Sequence, residues 1–358
     1  VTLQGLAKYF KAKYPDEQFT PIERGEAIYA DLVEETFKGI AIHELGHSLG
    51  LLHNFASSWD TPNYPPSYWQ LRSHDGTSTA SCDGVPRGGD PASVADDTCM
   101  GPRYLDPATD EEQGLGDEPR PSIEYFAQTS VMEYPLERFG ETGGIGQYDS
   151  HAMKSLYGRV LETFDDEAHG GLSTEDQDPF GPRMESQLIE QDRVTRTSAP
   201  FTGQKFAKPT HYTELAREMK VFDPARCRAA TPEEIELGGW RVVRGKVCAP
   251  APRDHAAWQD FESTPTTANN AASAAPYWRT KETAKTGPEQ VRWFYRFGTS
   301  DNGYFHTNPG DAGADPYEVT VNTIKKFDAT YPWSYFRRHN KEYFSAGIPF
   351  AVANGTLE

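Results

Sequence analysis

The sequence lacks several features by which classes of protein are recognised. No internal repeat, low-complexity tract or run of about 18 apolar residues occurs, so nothing here is expected to span a bilayer as a helix. Basic residues are outnumbered, since 35 Lys and Arg stand against 53 Asp and Glu, and the formal net charge is −18. An acidic surface of this kind disfavours nucleic acid and anionic membranes as partners.

Cysteine is scarce, and none of the four cysteines has the C-x-x-C spacing of a zinc knuckle or a redox pair. They fall into two local pairs, Cys82 with Cys99 and Cys227 with Cys248, each in a stretch rich in Gly, Pro and Asp. Two disulfides would each close a loop of about 20 residues and contribute roughly 3 kcal/mol. Free buried thiols are the alternative. Disulfides predict an oxidising, extracytoplasmic location.

Helical spacing of apolar residues is confined to separate segments. It predicts helices over residues 3–13, from about 26 to 49, and over 148–158. Residues 57–128 show little periodicity and predict a long loop, which the first disulfide would staple. A short helix is expected over 212–221.

Two further patterns lie towards the end of the sequence. Residues 240–248 predict a β-hairpin that turns at Arg244-Gly245. Residues 314–331 predict a helix that begins with an aspartate cap. The predicted fold class is therefore α+β.

One segment, GIAIHELGHSLGLLHNF, carries three histidines and a glutamate at regular spacing. On a helix, His43 and His47 are four residues apart and leave the same face. Two neutral imidazoles at this spacing supply half of a tetrahedral zinc site. Glu44 is rotated by about 100° from His43, which places it beside the position of a bound water.

Gly50 completes the pattern, because glycine adopts φ > 0 without steric cost and lets the chain leave the helix sharply. His53 can then approach the metal as a third ligand. Three protein ligands leave a fourth position for water, which is typical of a catalytic zinc. The alternative for the two helical histidines is a pair of solvent-facing or core-capping side chains.

HELGHSLGLLH matches the H-E-x-x-H-x-x-G-x-x-H signature, and residues 26–158 thereby resemble the metzincin zinc peptidases. That family also has a methionine turn beneath the zinc, and TSVMEYP supplies one with Met132 and Tyr134. GIGQYDSHAMKSLYG resembles the helix that follows the turn. HNF and SVMEYP are most similar to large bacterial exported zinc-dependent metalloproteases, and RGKVCAPAPRDHAAWQDFES and DAGADPYE have a weaker similarity to them.

The resemblance implies one catalytic zinc ion on the three histidines and hydrolysis of peptide bonds. Glu44 would act as general base, taking a proton from water and passing it to the leaving amine. Met132 would form an apolar floor under the histidines, which is nearly the same as plain core packing. Tyr134 would donate to the developing oxyanion or act as an extra zinc ligand. The alternative is a packed tyrosine with a satisfied hydroxyl.

The resemblance also implies a domain arrangement. Residues 1–163 would form the zinc-binding and Met-turn part of a metzincin-like catalytic core. A twisted sheet should precede the active-site helix, but residues 1–42 show no strand pattern, so we expect an upstream segment of the same precursor to complete the cleft. Residues 164–268 are expected to form a loop-rich extension with a disulfide and a β-hairpin, and residues 269–358 a mainly helical segment.

Three functions are compatible with these motifs. The first is an extracytoplasmic zinc endopeptidase that acts on protein or peptide substrates. The second is a zinc-stabilised surface or interaction module on a peptidase-like fold without turnover, against which the intact Glu44 argues. The third is a metal-dependent hydrolase of non-peptide amides, and only the family resemblance of the Met-turn speaks against it.

The remaining candidate ligands are given no function. Acidic clusters such as DDEAHGG could bind structural Ca²⁺, but they match no EF-hand loop, and solvated charge is the preferred interpretation. The other seven histidines lack ligand spacing.

Overall fold

The fold is taken from a computed structural model, which describes residues 3–78, 80–82, 99–117, 120, 122–134, 144–163, 211–218, 220–238, 242–257, 261–263, 278–280, 295–299, 309–311 and 313–335. The acidic cluster DDEAHGG and most of the two predicted regions after residue 163 lie outside these ranges. Among the described residues, no helix combines the length and the apolar character that crossing a bilayer requires.

The described residues are rich in helix. The helices are α1 Leu3–Lys13, α2 Pro21–Ser48, α3 Pro66–Arg72, α4 Gln147–Gly158, α5 Tyr212–Glu218, α6 Pro232–Gly238 and α7 Pro316–Tyr335. The strands are β1 Val160–Thr163, β2 Cys227–Ala229, β3 Lys246–Cys248, β4 Asp254–Ala257, β5 Phe261–Ser263 and β6 Trp278–Thr280. They form three small antiparallel sheets, β1 with β4, β2 with β3 and β5 with β6. This composition is compatible with the predicted α+β class.

Helix α2 starts earlier than predicted, because a capping box fixes its first turn. The Thr20 hydroxyl accepts a hydrogen bond from the Glu23 N–H at 3.3 Å, and the Glu23 carboxylate accepts one from the Thr20 N–H at 2.9 Å. Pro21 follows at the first helical position, where its missing N–H leaves no bond unmade. These signals stand in the sequence TPIE, ahead of the apolar periodicity that set the predicted start.

Only the last part of α2 is buried. Its buried residues are Gly39, His43 and Gly46, which lie near the C-terminal end. By contrast, the apolar stripe along the earlier turns remains largely at the surface, and Phe37 is 72% exposed. The histidine end of α2 is therefore buried in the described structure, while its N-terminal half is tied to α1 and the segment after it by polar contacts of Arg24 and Asp31.

The segment that follows the histidines was predicted to be a loop, and for residues 66–72 this prediction was wrong. Residues 54–64 and 67–73 are all buried, and Pro66–Arg72 forms α3. Since α3 is buried on every side, it has no polar face towards solvent, and its sequence gives no 3.6-residue periodicity. Its side chains belong to the larger core, which consists of Tyr64, Tyr68, Trp69, Leu71, Met100, Ile123, Tyr125, Phe126, Ala127, Tyr212, Ala216, Val221, Val243 and Ala314.

A set of buried ion pairs, which we call the arginine network, crosses this core. Its members are Arg72, Arg103, Asp106, Glu112 and Glu318. Arg72 pairs with Asp106, while Arg103 contacts Glu112 at 3.0 Å and Glu318 at 3.3 Å. The network fastens α3 and the N-terminal end of α7 to the chain between them.

Both predicted disulfides are present, and the second one joins two paired strands. Cys227 and Cys248 are bonded and also face each other in the register of β2 and β3. The turn at Arg244-Gly245 forms as predicted, with positive φ at both residues. Across this turn Val243 and Lys246 form an antiparallel bridge, while β3 as a whole pairs with β2, to which the disulfide ties its end.

Candidate metal centre

The two histidines on α2 are fixed by backbone carbonyl groups. His43 Nδ1 lies 2.7 Å from the Val131 carbonyl oxygen, and His47 Nδ1 lies 2.9 Å from the Leu51 carbonyl oxygen. A carbonyl oxygen only accepts, so the ring proton is on Nδ1 in both histidines. Each Nε2 is therefore left with a lone pair that can bind a metal.

Gly46 allows the Met-turn to approach the helix between these histidines. A Cβ atom built on Gly46 would stand 2.5 Å from Met132 Sδ, which is closer than van der Waals contact allows. Met132 is fully buried beneath the histidines. The small core around it consists of Leu51, Val131, Met132 and Ala152.

Gly50 turns the chain away from α2 towards the third histidine. The helix ends at Ser48, and Gly50 has a φ of +93°, in the region that favours glycine. The Leu51 N–H then donates to the Gly46 carbonyl oxygen at 2.9 Å. This turn returns the chain so that His53 faces His47.

The three histidines converge. Their ligand atoms all lie within 4.8 Å of one another, the only such group of three or more His, Cys, Asp or Glu within the described ranges. His47 Nε2 and His53 Nε2 are 3.1 Å apart, close to the roughly 3.3 Å between two nitrogens on one tetrahedral zinc ion. Burial, followed by the proximity of His47 and His43, lowers the pKa of His53. Neutral imidazoles in this arrangement fit a zinc ion.

The Met-turn itself is fixed by one carboxylate at the start of α4. Asp149 accepts hydrogen bonds from the Ser130 hydroxyl at 2.5 Å and from the Val131 and Gly146 N–H groups at 2.8 Å each. The Val131 carbonyl oxygen in turn accepts from His43 Nδ1. Asp149 thus fixes the position of the turn beneath the first histidine. Helix α4 follows the turn as predicted, ending at Gly158.

Two predicted functional side chains are exposed. Glu44 is exposed on α2. Tyr134 is 43% exposed, and its ring centroid lies 5.7 Å from that of His43 and 4.6 Å from that of His53. Its backbone is held from behind, since the Gly310 N–H donates to the Tyr134 carbonyl oxygen at 2.7 Å.

Behind Tyr134 lie two buried acids, which we call the carboxylate pair, Glu133 and Asp311. Glu133 accepts from the Ser57 hydroxyl at 2.8 Å, and Asp311 accepts from the Ser58 hydroxyl at 2.6 Å and the Trp59 indole N–H at 2.7 Å. Burial raises the pKa of Asp311 to about 6. Burial and the neighbouring Asp311 hold the pKa of Glu133 well above its usual range. Burial thus disfavours the charged form of both acids.

The segment that carries these histidines also resembles a known protein family. The family model described as Met-zincin matches residues 26–78. This segment belongs to the Met-zincin family. The match includes Glu44 and the three histidines and ends before Met132, so the family assignment as a metzincin-type zinc metalloprotease rests on the helix and the chain after it. No curated protein and no solved structure matches the chain.

Several residues of the candidate metal centre were not identified from the sequence. They are Gly46, Asn54, Glu133, Asp149 and Asp311. Gly46 could have been found from its position between the two helical histidines, where a close approach needs a residue without a side chain. The roles of the others at the site could not be inferred locally, because each depends on at least one partner that is distant in the chain.

Proposed function

We propose that the chain is a zinc-dependent endopeptidase that acts on protein or peptide substrates. The observation that supports this best is the convergence of three imidazole groups next to the exposed Glu44, within a segment of the Met-zincin family. The fully buried Met132 below and the half-exposed Tyr134 beside the histidines agree with the same chemistry.

The chain's own groups have distinct parts in this reaction. When bound, zinc would supply Lewis-acid activation of water and of the scissile carbonyl group. His43 and His47 would offer their Nε2 lone pairs, because their Nδ1–H groups are engaged. Glu44 would accept a proton from the attacking water and return it to the leaving amine. Tyr134 would donate its hydroxyl to the oxyanion as it develops.

Replacement of the general base tests the proposal directly. We expect Glu44→Gln to lower kcat/KM for peptide cleavage by about 10²- to 10⁴-fold while the zinc content stays the same. Glu26→Gln is the matched control, since Glu26 is also an exposed glutamate of α2. Unchanged cleavage in Glu44→Gln would remove the general-base role. A zinc-loaded wild type without any cleavage would favour the interaction module.

Tyr134→Phe tests the second catalytic role. We expect a lower kcat, by up to about 10²-fold, with little change in KM, because the hydroxyl would act only on the developing oxyanion. Tyr104→Phe, at another exposed tyrosine, is the control. A normal kcat in Tyr134→Phe would mean that this tyrosine is structural.

The kind of amide that is cleaved can be tested with inhibitors. A peptide hydroxamate should inhibit the wild type, and non-peptide amides should be neither cleaved nor inhibitory. The opposite pattern would favour a hydrolase of non-peptide amides.

The two disulfides support an extracytoplasmic place of action, because such bonds persist in oxidising compartments. A reducing buffer should therefore destabilise the protein, which thermal unfolding with and without reductant would measure.

A further inference from the structure

We propose that Asn54 is a positioning residue for the third metal ligand, and that it holds His53 in place by fastening the adjacent backbone to residues 295–299. The two partners are 242 residues apart in the chain. This role rests on the proposed metal centre but does not require catalysis.

Both polar atoms of the Asn54 side chain and its backbone N–H form hydrogen bonds. Its Nδ2 donates to the Arg296 carbonyl oxygen at 3.0 Å, and its Oδ1 accepts from the Gly298 N–H at 3.1 Å. Its backbone N–H donates to the Met132 carbonyl oxygen at 3.0 Å. Asn54 is fully buried, so none of these bonds competes with water. One residue thus connects the Met-turn with the 295–299 segment, directly after the third histidine.

Neighbouring residues extend this connection. The Phe55 N–H donates to the Gly298 carbonyl oxygen at 2.7 Å. Asp60 Oδ2 accepts from the Arg296 N–H at 3.0 Å. Both backbone groups of Arg296 and both of Gly298 are therefore bonded to the chain that follows the histidines. This alternation resembles one side of a β-ladder, with side chains of Asn54 and Asp60 in place of a second strand.

The opposite side of the 295–299 segment packs on α4. The ring of Tyr295 stacks on His151 with centroids 4.7 Å apart, and the ring of Phe297 stacks on Tyr148 at 5.9 Å. Helix α4 is the element whose Asp149 fixes the Met-turn. The 295–299 segment therefore lies between Asn54 on one side and α4 on the other, and connects the two.

His53 depends on this arrangement more than the other two histidines do. His43 and His47 each have Nδ1 bound to a backbone carbonyl oxygen. Among the described residues, His53 has no such bond at Nδ1, and its ring is flanked by Phe55 and Tyr134. Its direction is thus set mainly by its own backbone, which Asn54 anchors. Loss of groups that orient a ligand typically weakens metal binding by about 10- to 100-fold.

A matched pair of amide-to-acid variants tests this role. Asn54→Asp keeps the size and one acceptor but places an oxygen against the Arg296 carbonyl oxygen. Gln70→Glu is the control. Gln70 lies in α3 and is also fully buried, and its amide donates to the Val243 carbonyl oxygen at 3.1 Å. Zinc affinity is measured by competition with a chelator. The visible absorption of the Co²⁺-loaded protein reports the number and kind of ligands.

We expect Asn54→Asp to bind zinc about 10- to 100-fold more weakly and to change the Co²⁺ spectrum, while Gln70→Glu keeps both properties even if it lowers Tm as much. An unchanged zinc affinity in Asn54→Asp would contradict the proposal. So would equal losses in both variants, since these would mean general destabilisation. Peptide cleavage by the wild type is recorded separately and decides only the proposed function.

Hydrogen exchange on the wild-type chain provides a test that needs no variant. If residues 295–299 hold His53, zinc binding must in turn stabilise them, because linkage is reciprocal. Zinc should therefore slow exchange at the Phe55 and Gly298 amides and leave the Val221 amide, which is bonded to the Ala216 carbonyl oxygen, unchanged. Bound zinc without protection at Gly298 would overturn the proposal.

Discussion

The arginine network and the carboxylate pair both bury carboxylates, but they treat the charge of those carboxylates in opposite ways. In the arginine network, burial alone would raise the pKa of Glu112, but the guanidinium groups of Arg103 and Arg72 hold it below its usual range. In the carboxylate pair, hydroxyl, indole and backbone N–H groups take the place of guanidinium groups. Burial there raises the pKa of both Glu133 and Asp311.

The two regions also differ in where they lie relative to the metal centre. The arginine network fastens α3 and α7 within the larger core, where full charges can be balanced by fixed partners. The carboxylate pair lies directly behind Tyr134, where burial disfavours the charged form of both acids. Of the acids near the histidines, Glu44 is the exposed one. The framework is thus held by paired charges, and the carboxylate pair by hydrogen bonds from neutral donors.

The largest effect should come from removing a cation of the arginine network. Arg72→Met would leave Asp106 buried without its ion-pair partner, which typically costs about 3–5 kcal/mol. Unfolding by urea measures the loss. Arg228→Met is the control, because Arg228 pairs with Glu234 at the surface, and an exposed pair of this kind contributes little to stability. Equal losses in the two variants would mean that the network contributes no more than a surface pair.

A smaller effect with a defined pH dependence is expected for Glu112→Gln. The variant keeps an acceptor oxygen for Arg103 but loses the charge, and should cost about 1.5–3 kcal/mol at neutral pH. The folded-state pKa of Glu112 is depressed, so its contribution is present above the unfolded value of 4.5 and is lost as the pH falls below it. The difference between wild type and variant should therefore shrink towards pH 3. A difference that is constant from pH 3 to 7 would contradict the assignment of the lowered pKa.

The smallest effect should come from Glu133→Gln, with the opposite pH dependence. The folded-state pKa of Glu133 is raised, so its contribution is present below the unfolded value of 4.5 and is lost as the pH rises. The amide resembles the protonated acid, so the variant should stay within about 1 kcal/mol of wild type at pH 5. It should gain relative to wild type at pH 8. If Glu133→Gln instead lost stability as the pH rose, the two regions would not differ as described.

Local signals made half of the metal centre predictable. The spacing of His43, His47 and His53 and the glycine at position 50 are properties of a helix and its end, which depend on nearby residues. The same holds for α1, α4 and the caps of α2 and α7. In each case the residues that decide the structure lie within a few positions of one another.

The other half depends on contacts between distant parts of the chain. Asp149 acts through Ser130 and Val131, and Asn54 acts through Arg296 and Gly298. An asparagine after a histidine or an aspartate at the start of a helix has many local explanations, and only the fold selects one. Helix α3 was missed for a related reason, because burial on all sides removes the periodicity by which helices are recognised.

The distance in sequence between Asn54 and its partners also sets the order of events during synthesis. A ribosome adds about 5–20 residues per second, so the 242 residues from Asn54 to Arg296 take roughly 12 to 50 seconds to make. Throughout this interval the nascent chain carries all three histidines, while the third lacks the backbone anchor that fixes its direction. A metal centre built in this way is finished only after residue 298 has been translated.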